Sequence, residues 1–274
     1  MTAFWRRRVV SLALLLLAGS LLYLLERIYE ISLRDGTYLT GWILFVMTVL
    51  LALLNVRKKL SMLPLLPAAF WFQTHVYVGI LAFGLFFLHS NFRLPNGPFE
   101  KALWWASVLA FATGILGLLL SRVLPGRLKR HPERVVFERI PAFRSELQAE
   151  AECLALRAVG DSDDSRISDF YLKVLAPFLR KPRNLLAHLM GSRRHAWRLD
   201  AQFRAVRNSA KQDAHELLEK LQEIAEAKDV LDHQYALQLT LKAWLFLHIP
   251  VSVAALLLAI THVLLAYAFG TATP

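Results

Sequence analysis

Apolar residues along this chain come in long blocks rather than in alternation. Five blocks, roughly 9–29, 39–55, 67–90, 102–123 and 240–268, approach the length of about 20 helical residues that a bilayer demands. Between the fourth and fifth blocks the pattern changes abruptly. Residues 124–239 hold 20 of the 32 Lys+Arg and 17 of the 21 Asp+Glu, which marks a solvated region. Helical signals dominate it. Asp161–Ser168 reads as a loop ending in a helix cap before Asp169. Pro177 and Pro182 punctuate the next stretch, and Gly191 closes it. From Ser192 to Ile249 there is neither Gly nor Pro. Within that stretch Leu217, Leu221, Ile224, Leu231, Tyr235 and Leu239 recur at helical spacing, predicting an amphipathic helix that runs into the fifth span. No strand pattern emerges.

The expected fold is therefore an all-α membrane protein with five transmembrane helices and a helical insert. Its predicted divisions are 1–38, a peripheral first helix and loop; 39–123, the first part of a four-helix bundle; 124–239, the insert; and 240–274, the last helix and tail. Composition agrees: 56% of the residues are hydrophobic, above the usual ~45–50% of soluble domains. Arg6, Arg7 and Arg8 before the apolar run from Val9 resemble the start of a signal peptide. The run continues to Leu25, which favours a retained helix.

The net charge of +11 orients the chain. Arg6–Arg8 precede the first span, Arg57, Lys58 and Lys59 follow the second, and Arg122, Arg127, Lys129 and Arg130 follow the fourth. The alternate connections, 30–38 and 91–101, are nearly neutral. The positive-inside rule then predicts a multi-pass protein of the cell (inner) membrane, with the N-terminus and 124–239 cytoplasmic and the C-terminus outside. Trp5, Trp42, Trp71, Trp104, Trp105 and Trp244 fall near span ends, where indoles prefer the interface; Trp197 alone lies in the insert.

Charge and cysteine also exclude. Cys153 is the one cysteine, so an internal disulfide, a CxxCH haem attachment site and a cysteine-ligated iron–sulfur cluster are ruled out. Between Lys173 and Lys211 ten Lys/Arg face one acidic residue, Asp200. Anionic lipid headgroups are the expected use of that face, ahead of an acidic protein partner. Nucleic acid is not expected, because no recognition motif accompanies the charge.

Four of the nine histidines lie in apolar spans: His75 and His89 in the third, His248 and His262 in the fifth. Each pair is separated by 14 residues. Fourteen helical steps fall about 40° short of four full turns, so both members share a face about 21 Å apart along the axis. The third and fifth spans run in the same direction, which sets His75 level with His248 and His89 level with His262. Two levels with one imidazole from each helix are what two bis-histidine haems require. Small residues follow at matched offsets, Gly79 and Ala82 after His75, Ser252 and Ala255 after His248, as a flat macrocycle between helices needs. The competing readings are histidines that pack or form a proton or metal-ion path, and small residues that only let helices approach. Thr113, Gly114 and Gly117 in the fourth span fit the latter.

This arrangement resembles the di-haem membrane b-type cytochromes: cytochrome b of the bc complexes, and the membrane domain of ferric reductases and NADPH oxidases. The likeness covers roughly 39–126 and 240–268. It implies an inner haem b on His75 and His248 and an outer one on His89 and His262, inside a bundle of spans two to five. It also implies electron transfer across the membrane within a redox complex of a respiratory chain. A quinone, other complex subunits and multi-haem c-type cytochromes are the expected partners. Departures limit it. No flavin and nicotinamide domain follows the last span, so no dehydrogenase activity of its own is expected. His131 and Pro132 lie where the oxidase flavin motif cannot be, and the quinol-site Pro-Glu-Trp-Tyr motif is absent. Arg93, one turn beyond His89, is the candidate partner of an outer propionate; Lys242 and Arg122 are inner candidates, with ordinary snorkelling the alternative. His188, His195, His215 and His233 show no metal spacing and read as solvated helix residues. Pro250 should kink the last span near His248. A histidine-lined pathway protein and a haem-free scaffold subunit remain the alternatives.

Overall fold

The computed structural model describes residues 3–31, 36–59, 67–128, 135–162, 165–192, 194–210 and 215–269. It is 92% helical and carries no strand among them. The helices in chain order are α1 (Ala3–Ile31), α2 (Gly36–Lys59), α3 (Ala68–His89), α4 (Pro98–Leu128), α5 (Ile140–Ser162), α6 (Ser165–Phe170), α7 (Ala176–Arg180), α8 (Leu185–Met190), α9 (Arg194–Ser209) and α10 (His215–Phe269). Five of these, α1 to α4 and α10, contain stretches long and apolar enough to cross a membrane. The chain thus has the make-up of a multi-pass membrane protein. It divides into two compact units, Met1–Leu119 with Trp244–Pro274, and Leu120–Ala243.

The first unit is the apolar one. In it α2 packs along α3, and α1 lies against both. Nothing in the apolar window of α1 is buried, and Leu12, Leu14, Leu16, Leu17 and Leu21 stand exposed. Such a surface is tolerable in lipid or against another chain, and costly in water. Aromatic rings join α3 to α4: Phe83 and Phe111 have centroids 4.9 Å apart, and Phe86 meets Trp104 at 6.0 Å. Trp42 of α2 donates its indole N–H to the Tyr267 hydroxyl of α10 at 2.8 Å. Tight approach of α4 to α10 rests on Gly117, where an added Cβ would fall 1.9 Å from the Trp244 ring.

Helix α3 stops at His89, one residue short of the expected span end. Asn91 and Phe92 then both take left-handed backbone, with φ of 48° and 53°. Such values are uncommon for Asn and a real cost for Phe. Two features offset the cost. The Phe92 N–H bonds the Phe87 carbonyl at 3.0 Å, and the two rings stack at 5.6 Å. Pro98 opens α4 at its first position, where its missing N–H costs nothing.

The second unit is a solvated helical domain with its own core. Ala151, Ala155 and Ala158 of α5 make a small-residue face at helical spacing. It packs with Ile167, Phe170, Leu175, Leu179, Phe203, Leu218 and Leu221. The Asp161–Ser168 loop expected from sequence is corrected. Helix α5 runs through Ser162 and α6 starts at Ser165, because Ala158 and Ile167 are fully buried and hold both segments on the core. A turn of π-helix, Tyr171–Leu175, precedes Pro177. Gly191 ends α8 as expected, with φ 72° and the Ser192 N–H reaching back to the Ala187 carbonyl at 2.8 Å, a left-handed cap that suits glycine. The amphipathic helix expected from Leu217 onward is also present. It is assigned as helix without a break across Pro250.

Candidate functional site

In the apolar unit the histidines sit beside threonines. Thr40 of α2 is 2% exposed. Its hydroxyl lies 3.0 Å from the Gly36 carbonyl and 3.1 Å from Nδ1 of His89 on α3. Thr113 of α4 repeats the device on α10. Its hydroxyl lies 2.8 Å from the Leu109 carbonyl and 2.9 Å from Nδ1 of His248. A hydroxyl has one proton to give. Given to the carbonyl one turn back, it leaves the oxygen to accept the Nδ1–H of the imidazole. With Nδ1 so engaged, Nε2 is the ring atom through which either imidazole could ligate a metal.

The two ends differ in what surrounds the ring. At the α3 C-terminus, His89 and His262 line one cavity of about 530 Å³, together with Gly41, Phe45, Trp104 and Ala255. That volume lies within the ~300–1,000 Å³ typical of cofactor pockets. Gly41 matters here, since a Cβ on it would come 3.0 Å from the His89 ring. Phe99 stacks on His262, at 6.5 Å between centroids and 17° between planes. Trp104 also lines the cavity, and its indole N–H is buried without a hydrogen-bond partner. Indole can only donate, so this orphan calls for an acceptor. Arg93 also lines the cavity. The helix has ended, and the left-handed turn at Asn91 and Phe92 delivers it.

At the other end, Trp244 stacks on His248 with centroids 5.5 Å apart and donates to the Thr113 carbonyl at 2.7 Å. An added Cβ on Gly114 would stand 3.6 Å from the His248 ring. His75 is half-buried on α3. Close packing requires glycine at Gly117, while a Cβ at Gly114 would make only an ordinary contact; Thr113 does more than pack.

The predicted small residues divide. Ala82 is fully buried, and Ala255 is 7% exposed and lines the cavity. A Cβ added to Gly79 would stand 3.9 Å from the Leu51 side chain of α2, an ordinary contact. Ser252 turns inward on its own helix and donates to the His248 carbonyl at 2.7 Å. Lys242 is engaged elsewhere, paired with Glu138 and lying 4.1 Å over the Phe137 ring. The Lys242 ammonium holds the Glu138 carboxyl below its ordinary range.

One reading of the second unit is overturned. His188 is 4% exposed and His195 is half-buried, so neither is a solvated helix residue. Both rings turn toward Asp229 of α10, at 3.6 Å and 2.9 Å from its Oδ1. Burial holds the His188 imidazole below its ordinary value. Sequence spacing hid this group because its members come from three helices. His215 is exposed as expected. No protein-family model, curated protein or solved structure matches the chain.

Proposed function

We propose that this chain is the membrane subunit of an electron-transfer complex. In this reading it holds two b-type haems, one on His89 and His262 and the other on His75 and His248. The observation that carries the reading is the pair of buried threonines. Each lies within hydrogen-bond distance of Nδ1 of one imidazole, which leaves Nε2 for a ligand, and the two lie on different helices. A buried histidine in any role needs a partner for its ring nitrogen; these contacts meet that need at Nδ1, so Nε2 can be the ligating atom. Bound haem iron supplies reversible one-electron chemistry, and the protein supplies ligation, spacing and dielectric.

The remaining parts rest on the chain's own groups. Gly41 and Ala255 leave width for a flat ring between α2 and α10. Phe45, Phe86 and Phe111 line that space with apolar surface, which lowers the local dielectric. Arg93 and the indole N–H of Trp104 are donors suited to a carboxylate substituent at the rim. The loop charges support an N-terminus and a solvated unit on the cytoplasmic side. Neither an electron donor nor an acceptor site is encoded by a recognised motif, so a quinone or partner subunits complete the path.

The test is a dithionite-reduced spectrum of the purified protein with a haem-to-protein ratio. Two haems per chain are expected, falling to one in His262→Ala and to one in His248→Ala. A colourless protein, or the same ratio in all three, rejects the reading in favour of a pathway or scaffold role.

A further inference from the structure

The polar unit carries a second histidine group that is independent of the membrane helices. His188 comes from α8, His195 from the first turn of α9 and Asp229 from α10. The Gly191 cap folds α8 back toward α9, and the His188 and His195 rings meet at 4.5 Å between centroids, 73° apart in plane. Beneath them the chain is pinned. Lys228 is fully buried, donates to Asp232 at 2.5 Å and to the Lys181 carbonyl at 3.1 Å, and lies 3.8 Å over the Phe178 ring. Asp232 in turn accepts the Arg183 N–H at 3.0 Å. These contacts fix the start of α8 on α10 and leave Asp229, one residue after Lys228, turned to the histidines.

The hydrogen-bonding of the group is incomplete. Nε2 of His188 and both ring nitrogens of His195 are buried and make no hydrogen bond. The Asp229 oxygen is 2.9 Å from His195 Nε2, yet lies off the line a ring N–H would need. A buried imidazole, a half-buried one and a carboxylate converge without donating to one another. Buried polar groups left this way are rare and costly, and a ligand that accepts their lone pairs removes the cost.

We propose that His188, His195 and Asp229 bind one zinc ion, tying α8 and α9 to α10. Their three donor atoms all lie within 4.8 Å of one another. Tetrahedral zinc with bonds of ~2.0–2.1 Å holds donors about 3.3 Å apart, so closure takes side-chain adjustments of about an ångström. Two nitrogens and one oxygen suit zinc among the first-row ions and do not suit magnesium or calcium, which take oxygen ligands. His233 follows Asp229 by one helical turn, and its ring stands 5.7 Å from that of His188. It is the nearest additional imidazole for the fourth position, and water is the alternative there.

The experiment uses the full chain purified in detergent, stripped with a chelator, loaded with zinc and dialysed. Wild type should retain one zinc at this site, with a zinc-edge absorption spectrum showing nitrogen and oxygen neighbours and imidazole scattering. Asp229→Asn keeps the shape of the side chain, and His195→Ala removes the more accessible ring. Each should weaken zinc binding by more than the ~10–100-fold typical of losing an outer partner. His262→Ala should leave it unchanged, which separates this site from the membrane histidines. Failure of wild type to retain zinc, a spectrum without imidazole scattering, or undiminished binding in both Asp229→Asn and His195→Ala overturns the proposal. The wild-type spectrum decides the matter even where a variant fails to fold.

Discussion

The two units bury polar groups by opposite means. In the apolar unit the partners are neutral: a threonine hydroxyl for His89, another for His248 and a backbone carbonyl for Trp244. In the solvated unit they are charged: Lys228 with Asp232, and Asp229 beside two histidines. The difference comes from the surroundings. A helix bundle with lipid around it has no water to repay an ion's lost hydration, so a hydroxyl does the orienting. In the second unit the buried Lys228–Asp232 pair is held by its mutual attraction and by backbone partners, the Lys181 carbonyl and the Arg183 N–H.

That contrast can be broken at its strongest point first. Lys228→Met leaves the Asp232 carboxylate buried without its counter-charge. The expected loss is about 3–5 kcal/mol of stability in the solvated unit, the cost of breaking a buried pair by removing one partner. Replacing both residues with apolar ones of similar volume should restore most of it. Denaturation in detergent, followed by the fluorescence of Trp197, reads both. Burial pulls the Lys228 ammonium below its ordinary value and lifts the Asp232 carboxyl, so the pair depends on its mutual attraction and bonded neighbours. If the single substitution is neutral, the pair does not hold this region together.

The neutral partners come next. Thr113→Val preserves shape and removes the hydroxyl from His248. On the proposed function it should speed haem loss by about 10–100-fold, while Thr113→Ser, which keeps the hydroxyl, should stay near wild type. Transfer of haem to an excess of scavenging apoprotein measures it. Equal rates in Val and Ser variants would remove the argument from Nδ1.

The smallest effect belongs to an exposed pair. The Glu138 carboxyl is lowered from 4.5 by Lys242. A carboxyl whose folded value is depressed lends stability above its unfolded value, and that stability fades as pH falls through the folded one. A slight loss on acidification below pH 4.5 is therefore expected, and Glu138→Gln should flatten it. Full exposure keeps the effect small. A pH dependence as large for Glu138 as for the buried pair would contradict the contrast between solvated and buried charge.

Much of this architecture is legible in one dimension, for a physical reason. Spanning a bilayer takes a contiguous apolar run, and an amphipathic helix takes a local period, so five long apolar helices and the helix from Leu217 are written in neighbouring residues. The 14-residue spacing is likewise a property of single helices. Contacts between helices are not local. Nothing near His89 in sequence names Thr40, and nothing near His248 names Thr113, though a threonine inside an apolar helix is the signal to look for. His188, His195 and Asp229 lie on three helices whose meeting depends on the Gly191 turn and on Lys228 pinning the segment before it. Arg93 lines the cavity after a left-handed turn that local helix periodicity does not anticipate. Helix formation needs only near neighbours along the chain; the partner of each imidazole is chosen by packing.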